Sequence, residues 1–219
     1  MDRYTLTMKA IFWIFILFST TIFAATSDNT RNGTWLGFFH KKQLPQDYAL
    51  WTEAQFRYLL DSSGMQQTLY RIGALKKIND SHEVGLIYGF VQTGIMKEHR
   101  PTLQHVQQYG ELSGMKLSGR TRLEFRMLED SPDDAMRFRY QLRMQRKLTQ
   151  NLDLVVWDEP FINLTKDDWT GNRTVERNRF FIGTKIPFWD MNAEIGYMNQ
   201  FVPRVKDITE HILTLYLFY

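Results

Sequence analysis

Residues 135–147 read AMRFRYQLRMQRK. Met136, Phe138, Tyr140, Leu142 and Met144 alternate with Arg137, Arg139, Gln141, Arg143 and Gln145. Wound as a helix, the arginines and apolar side chains would mix around the whole circumference. Extended as a strand, they separate into one apolar and one cationic face, because successive side chains point to opposite sides. The preceding stretch divides in the same way. Thr121, Leu123, Phe125 and Met127 share one face, and Arg120, Arg122, Glu124 and Arg126 share the other. Between the two runs, Glu129-Asp130-Ser131-Pro132-Asp133-Asp134 has turn composition, so the pair reads as a long antiparallel hairpin. A turn centred near Ser131-Pro132 places Arg126 opposite Arg137, Glu124 opposite Arg139 and Arg122 opposite Gln141.

The period of two extends in both directions. Tyr48, Leu50, Ala54, Phe56 and Tyr58 oppose Glu53, Gln55 and Arg57. Arg71, Glu159, Arg177, Arg179 and Glu194 occupy the polar sides of further segments, and Leu213, Leu215, Leu217 and Tyr219 share the last apolar face. With a short segment at 34–41, eleven strands are expected. Residues 99–112 give the weakest pattern. Connections alternate between a short set (43–46, 79–81, 113–116, 149–151, 187–190) and a longer or more charged set (61–67, 92–100, 129–134, 163–174, 203–207). Short turns at one rim and longer loops at the other is the layout of an outer-membrane barrel.

The composition agrees with this. The 219 residues are 43% hydrophobic and 15% aromatic, too apolar for a disordered chain. A net charge of +3 is too small an excess to argue for nucleic acid. Cysteine is absent, which excludes disulfide scaffolds, cysteine zinc sites and iron–sulfur clusters. Arg3 and Lys9 precede the apolar run Ala10–Phe18, and Ala24-Ala25 offers a cleavage point. Residues 1–24 therefore read as a signal peptide rather than a membrane anchor, and residues 25–219 as a single β-barrel domain. A long apolar run does not recur after residue 25.

Alternation does not by itself say which face meets solvent. Ten to twelve strands with an apolar interior would enclose a large void, since about eight strands already give a side-chain-filled interior. Turned round, the apolar faces meet lipid and the charges line the lumen. Strands of about ten residues or more suffice for a tilted crossing. The expected fold is thus all-β, an antiparallel up-and-down transmembrane barrel of 10–12 strands. Its lumen would be lined by Arg57, Arg71, Arg120, Arg122, Glu124, Arg126, Arg137, Arg139, Arg143, Glu159, Arg177, Arg179 and Glu194. Leu213, Leu215, Leu217 and Tyr219 form the expected assembly signal of the closing strand. Barrels of this kind usually have an even strand number and both termini at the periplasmic rim. A count of eleven therefore implies that 34–41 is not a full strand, that residues 26–33 supply another, or that one weak segment is misread. The alternative fold is a soluble periplasmic β-sandwich that binds a ligand.

Six segments carry a family resemblance: Trp35-Leu36-Gly37, Glu98-His99-Arg100, Arg120–Arg126, Asp158-Glu159-Pro160-Phe161, Arg177-Asn178-Arg179 and Gly196-Tyr197. In their order and spacing the mature chain resembles the bacterial family called domain of unknown function 2490, regarded as outer-membrane barrels. The resemblance implies fold and location, and no activity.

Catalytic and metal-binding patterns were weighed against this background. A lipid-modifying barrel enzyme needs a histidine able to activate a serine. His82 follows Ser81, but strand neighbours face opposite ways, and His99 and His105 have no serine two residues on. His99 and His105 share a face but stand about 20 Å apart along a strand, too far to hold one ion. Asp133, Asp134, Asp167 and Asp168 read as solvated loop acids, without calcium-loop spacing. No catalytic residue, metal or cofactor is therefore expected. The reading is a structural or passive outer-membrane protein of a Gram-negative bacterium, a monomer, with a lumen either filled by ion pairs or open as a narrow anion-leaning channel. Its expected partners are outer-membrane lipid and the barrel-assembly machinery.

Overall fold

Eleven strands follow one another in the order the alternation requires: β1 (Asn29–Gln43), β2 (Tyr48–Leu59), β3 (Gly64–Asn79), β4 (His82–Thr93), β5 (Met96–Leu112), β6 (Met115–Leu128), β7 (Asp134–Thr149), β8 (Leu152–Asn163), β9 (Val175–Phe188), β10 (Met191–Val202) and β11 (Ile208–Phe218). The computed structural model describes residues 29–60, 64–165, 168–170 and 172–219. The expected signal peptide lies outside these residues, as do Asp167 and part of the 61–67 loop.

Each strand pairs antiparallel with its sequence neighbours, and the sheet closes by a parallel pairing of β1 with β11. That closure resolves the parity question. The segment at 34–41 is the middle of a full strand, and the barrel is odd-numbered. Asn29 and Tyr219 therefore lie at opposite rims, where an even count would have put both ends at the same one. At the seam, Tyr219 N donates to Phe39 O (2.8 Å) and Lys41 N donates to Tyr219 O (3.2 Å), so the last backbone unit is part of the ladder. Inside the seam, Phe39 stacks on Phe218 at 4.8 Å.

The five short turns all fall at the rim where β11 ends. In one of them Ser113 and Gly114 both take positive φ (52° and 77°), the conformation of a two-residue type I′ hairpin. The other rim carries the longer loops with one exception. The 92–100 stretch, expected to be a loop, is a hairpin turned by Gly94-Ile95, and Met96–Arg100 belong to β5.

The two sheet faces are as the alternation assigns them. Ile72, Leu86, Leu103, Ile182, Ile195 and Leu213 stand exposed on the outer face, Leu213 at 61%. Exposed Tyr48, Phe188, Trp189 and Tyr219 mark the short-turn rim, as interfacial aromatic girdles do in membrane barrels. Leu213 is near mid-height and Leu217 near the rim. Leu213→Arg should cost about 2–4 kcal/mol and Leu217→Arg about 0–1 kcal/mol, the depth dependence of a charge on a lipid face. Heat-modifiable gel migration of the two variants reads this difference, and equal folded fractions would contradict a membrane-facing β11.

Candidate functional site

The lumen is built from side chains that the period of two turns inward. Of the thirteen residues expected to line it, Arg57, Arg71, Arg120, Arg122, Arg139, Arg143, Glu159, Arg179 and Glu194 border one space inside the barrel, Arg137 and Arg177 border another, and Glu124 and Arg126 are buried in ion pairs. Some arginine–glutamate pairs join neighbouring strands, and others skip one or more strands across the interior. Arg143 on β7 holds Glu194 on β10 (2.5 Å). Arg137 on β7 holds Glu176 on β9 (2.5 Å), and Arg120 on β6 reaches Glu159 on β8 (3.1 Å). Glu124 lies at the centre. It accepts from both Nε (2.8 Å) and Nη2 of Arg137 and from Arg139 Nη1 (2.6 Å), with Arg71 Nη2 at 3.7 Å. Arg139 also bonds Glu159 (2.9 Å), and Arg71 bonds Glu53 (2.5 Å).

The hairpin register differs from the expected one by two residues. Glu124 stands opposite Arg137, Arg126 opposite Ala135, and Arg122 opposite Arg139. The turn is centred on Asp130-Ser131, with Ser131 N donating to Leu128 O. This register puts a carboxylate opposite Arg137 and moves the like-charge opposition from Arg126–Arg137 to Arg122–Arg139. The expected Glu124–Arg139 bond still forms, on a diagonal.

A second layer is aromatic. The ring of Phe161 has the guanidinium carbons of Arg137, Arg139, Arg177 and Arg179 between 4.2 and 5.9 Å from its centre. Trp35 lies under Arg57 (3.9 Å) and Arg179 (4.7 Å), within the range of cation–π attraction. Trp35, Val155, Trp157, Phe181, Met198, Ile212 and Tyr216 pack together as a buried apolar cluster inside the barrel.

These layers divide the lumen. In the half of the barrel toward the longer loops, the side chains leave a gap of about 30 Å³ among Arg57, Arg71, Arg100, Arg137 and Phe161, room for about one water. Between that plug and the short-turn rim lies a chamber of about 340 Å³. Trp35, Trp51 and Trp157 wall one part of it, and Arg122, Arg143 and Lys185 another.

The fold is shared with a solved porin, described as the NanC porin structure in rhombohedral crystal form. The match has a TM-score of 0.51 at 7% identity and covers 73% of this chain and 77% of that one. An uncharacterized protein of Methylorubrum extorquens (strain AM1) is 32% identical over 183 residues, covering 78% of this chain and 80% of its own length. The family model described as protein of unknown function, DUF2490, matches residues 32–210. The chain belongs to the DUF2490 family.

In this DUF2490 barrel the six segments that carried the resemblance meet in or around the lumen. Glu159 and Phe161 come from one, Arg177 and Arg179 from another, and Trp35 and Glu98 from two more. The alternate residues of these segments, such as His99, Phe125 and Tyr197, face outward. Asp158 and Asn178 face outward too, but buried, with Asn178 Nδ2 donating to Asp158 Oδ1 (2.7 Å).

Several lumen residues were not foreseen. Glu98 accepts from Arg100 and Arg126 (2.6 Å each), and Glu176 from Arg126 and Arg137. Extending the parity of Thr102 and Gln104 backward along β5 would have found Glu98 and Arg100. The inward tryptophans and Phe181 had a weaker signal, since their strands are apolar on both faces.

Proposed function

We propose that this protein is a passive, monomeric barrel of a Gram-negative outer membrane, delivered through the inner membrane by its first 24 residues, with its lumen occluded in the half toward the longer loops. The short-turn rim and Tyr219 face the periplasm, and outer-membrane lipid and the barrel-assembly machinery are its partners. The observation that carries this reading is the buried network of lumen ion pairs, with Glu124 at 0% exposure at its centre. Such a plug resists opening, because separating a buried pair leaves charges without compensation.

A non-enzymatic role is supported by how the histidines are engaged. His82 bonds His105 (2.9 Å), His99 bonds Tyr88 and Glu129, and His211 bonds Tyr197 (2.5 Å). None of these partners is the serine that acyl chemistry needs.

The excess of cations around the chamber, together with the porin likeness, favours a second reading, a narrow anion-leaning channel. Planar bilayers separate the two. The occluded barrel gives no discrete conductance steps in potassium chloride. Steps with a reversal potential displaced toward that of chloride would replace the occluded reading with the channel. Cell fractionation tests the location: the protein is expected in the outer membrane after carbonate washing, and recovery in the soluble periplasm would overturn the membrane assignment.

A further inference from the structure

The cations and carboxylates of the lumen do not balance. Among the described residues, the ion pairs account for Arg71, Arg100, Arg120, Arg126, Arg137, Arg139, Arg143 and Arg177. Three buried guanidiniums have only neutral hydrogen-bond partners, with Glu53 near Arg122 and Glu159 near Arg179 acting at longer range. Arg57 bonds Gln55 and Gln67, Arg122 Nε donates to Gln104 Oε1 (2.7 Å), and Arg179 Nε donates to Gln200 Oε1 (2.6 Å). Arg122 is 2% exposed. An isolated charge is costly to bury, and partner glutamines offset only part of that cost. Natural chains place a buried, unpaired cation where something else supplies the opposite charge.

All three line the chamber. Seven arginines and one lysine surround this space, against the carboxylates Glu53, Glu159 and Glu194. Two further donors, Arg120 Nε and Arg139 Nε, are buried without a hydrogen-bond partner, and both belong to chamber-lining side chains. The rest of the wall is made of aromatic side chains, Trp35, Trp51, Trp157 and Tyr216 among them, and the glutamines Gln55, Gln141 and Gln145. At about 340 Å³ the chamber is at the small end of ligand pockets, which run about 300–1,000 Å³.

We propose that the chamber is a binding site for a small organic carboxylate, whose acidic group pairs with Arg57, Arg122 and Arg179 and whose apolar face lies on the tryptophans. A planar guanidinium matches a carboxylate in a fork of two hydrogen bonds. The aromatic wall selects an organic anion over chloride, because chloride has no face to stack. The plug beneath makes the chamber a dead end that holds the anion. The inference thus rests on the occluded lumen of the proposed function.

The test uses the full mature barrel refolded in detergent. Benzoate and glucuronate serve as probes of an aromatic and a sugar face, with benzyl alcohol, glucose and potassium chloride as controls. Three tryptophans line the chamber, so binding is read by tryptophan fluorescence. The expected result is a saturable change with at least one carboxylate and none with its neutral counterpart or with chloride. Arg122→Gln should weaken that binding at least tenfold. A response shared by the neutral counterpart or by chloride, the absence of a response, or unchanged affinity in Arg122→Gln would each overturn the proposal.

Thermal unfolding of the unliganded protein gives an independent readout. Arg122→Met removes an uncompensated cation and should melt at or above the wild-type temperature, whereas Arg139→Met, which breaks true pairs, should melt below it. Arg122→Met melting below wild type would also overturn the inference. Bilayer conductance judges the plug separately. A silent barrel that fails to bind defeats only the ligand assignment, and a conducting barrel defeats the occluded reading itself.

Discussion

Glu124→Gln should abolish most of the folded, heat-modifiable barrel. The carboxylate is fully buried and accepts hydrogen bonds from two arginines, with a third guanidinium nearby. The change keeps the shape and removes the charge, which leaves Arg137 with Glu176, Arg139 with Glu159 and Arg71 with Glu53, a surplus of positive charge at a position bulk solvent does not reach. Breaking one partner of a buried pair costs about 3–5 kcal/mol, against a total stability of about 5–15 kcal/mol for a typical domain. Removing a facing cation as well should recover part of the loss, so Glu124→Gln/Arg137→Gln should fold better than the two single losses added together. A useful control is Glu129→Gln. Glu129 bonds Lys97 and His99 at the loop rim, in contact with solvent, and exposed pairs contribute little. Refolding yield on a gel without boiling checks all three variants. Equal yields for Glu124→Gln and Glu129→Gln would mean that the lumen is wet and the network solvated.

The contrast between these two glutamates shows how far the sequence could be read. Parity placed Glu124 inside, because Arg122, Glu124 and Arg126 share a face that cannot be a lipid face. It could not fix which arginine Glu124 meets. That depends on where the six-residue turn pivots, and a two-residue shift keeps every side chain on its face. Glu98 and Arg100 obey the parity of β5 but read as loop from the sequence, for another reason. Pro101 follows them, and prolines rarely sit inside strands. Here Arg100 and Pro101 fall at a break in the β5–β6 ladder while β4 still pairs with both, so the strand continues through a position where the sequence argued for a loop. The closure of the barrel was beyond any local signal. Whether β1 meets β11 in parallel is decided by the strand count around the whole circumference. The inward aromatic cluster stayed hidden because charge was the marker used to label the lumen, and residues 35–39 carry none.

That cluster leads to the second large effect. Gly183 and Gly196 face each other across β9 and β10, and the ring of Phe181 lies over both. A Cβ at Gly196 would stand 2.5 Å from Ile182 O and 2.5 Å from Phe181 Cζ; one at Gly183 would stand 2.5 Å from Ile195 O and from the same ring atom. The missing side chains are thus the seat of the phenylalanine, an aromatic covering a cross-strand glycine pair. Phe181 is itself fully buried and stacks on Trp157 at 5.0 Å, so the two glycines set the position of a chamber wall. Gly196→Val should remove the folded barrel. Overpacking alone costs about 1–3 kcal/mol, and here the backbone oxygen of Ile182 cannot move without breaking the ladder. Phe181→Ala should cost about 3–5 kcal/mol through the cavity it leaves. Combining the two relieves the ring clash but not the backbone contact, so the double variant should lose less than the sum and still fold worse than Phe181→Ala alone. Refolding yields and thermal melts of the three proteins check this order. If Gly196→Val folds like the wild type, Phe181 does not rest on the glycines, and the tryptophan wall it supports has no fixed place to present to an anion.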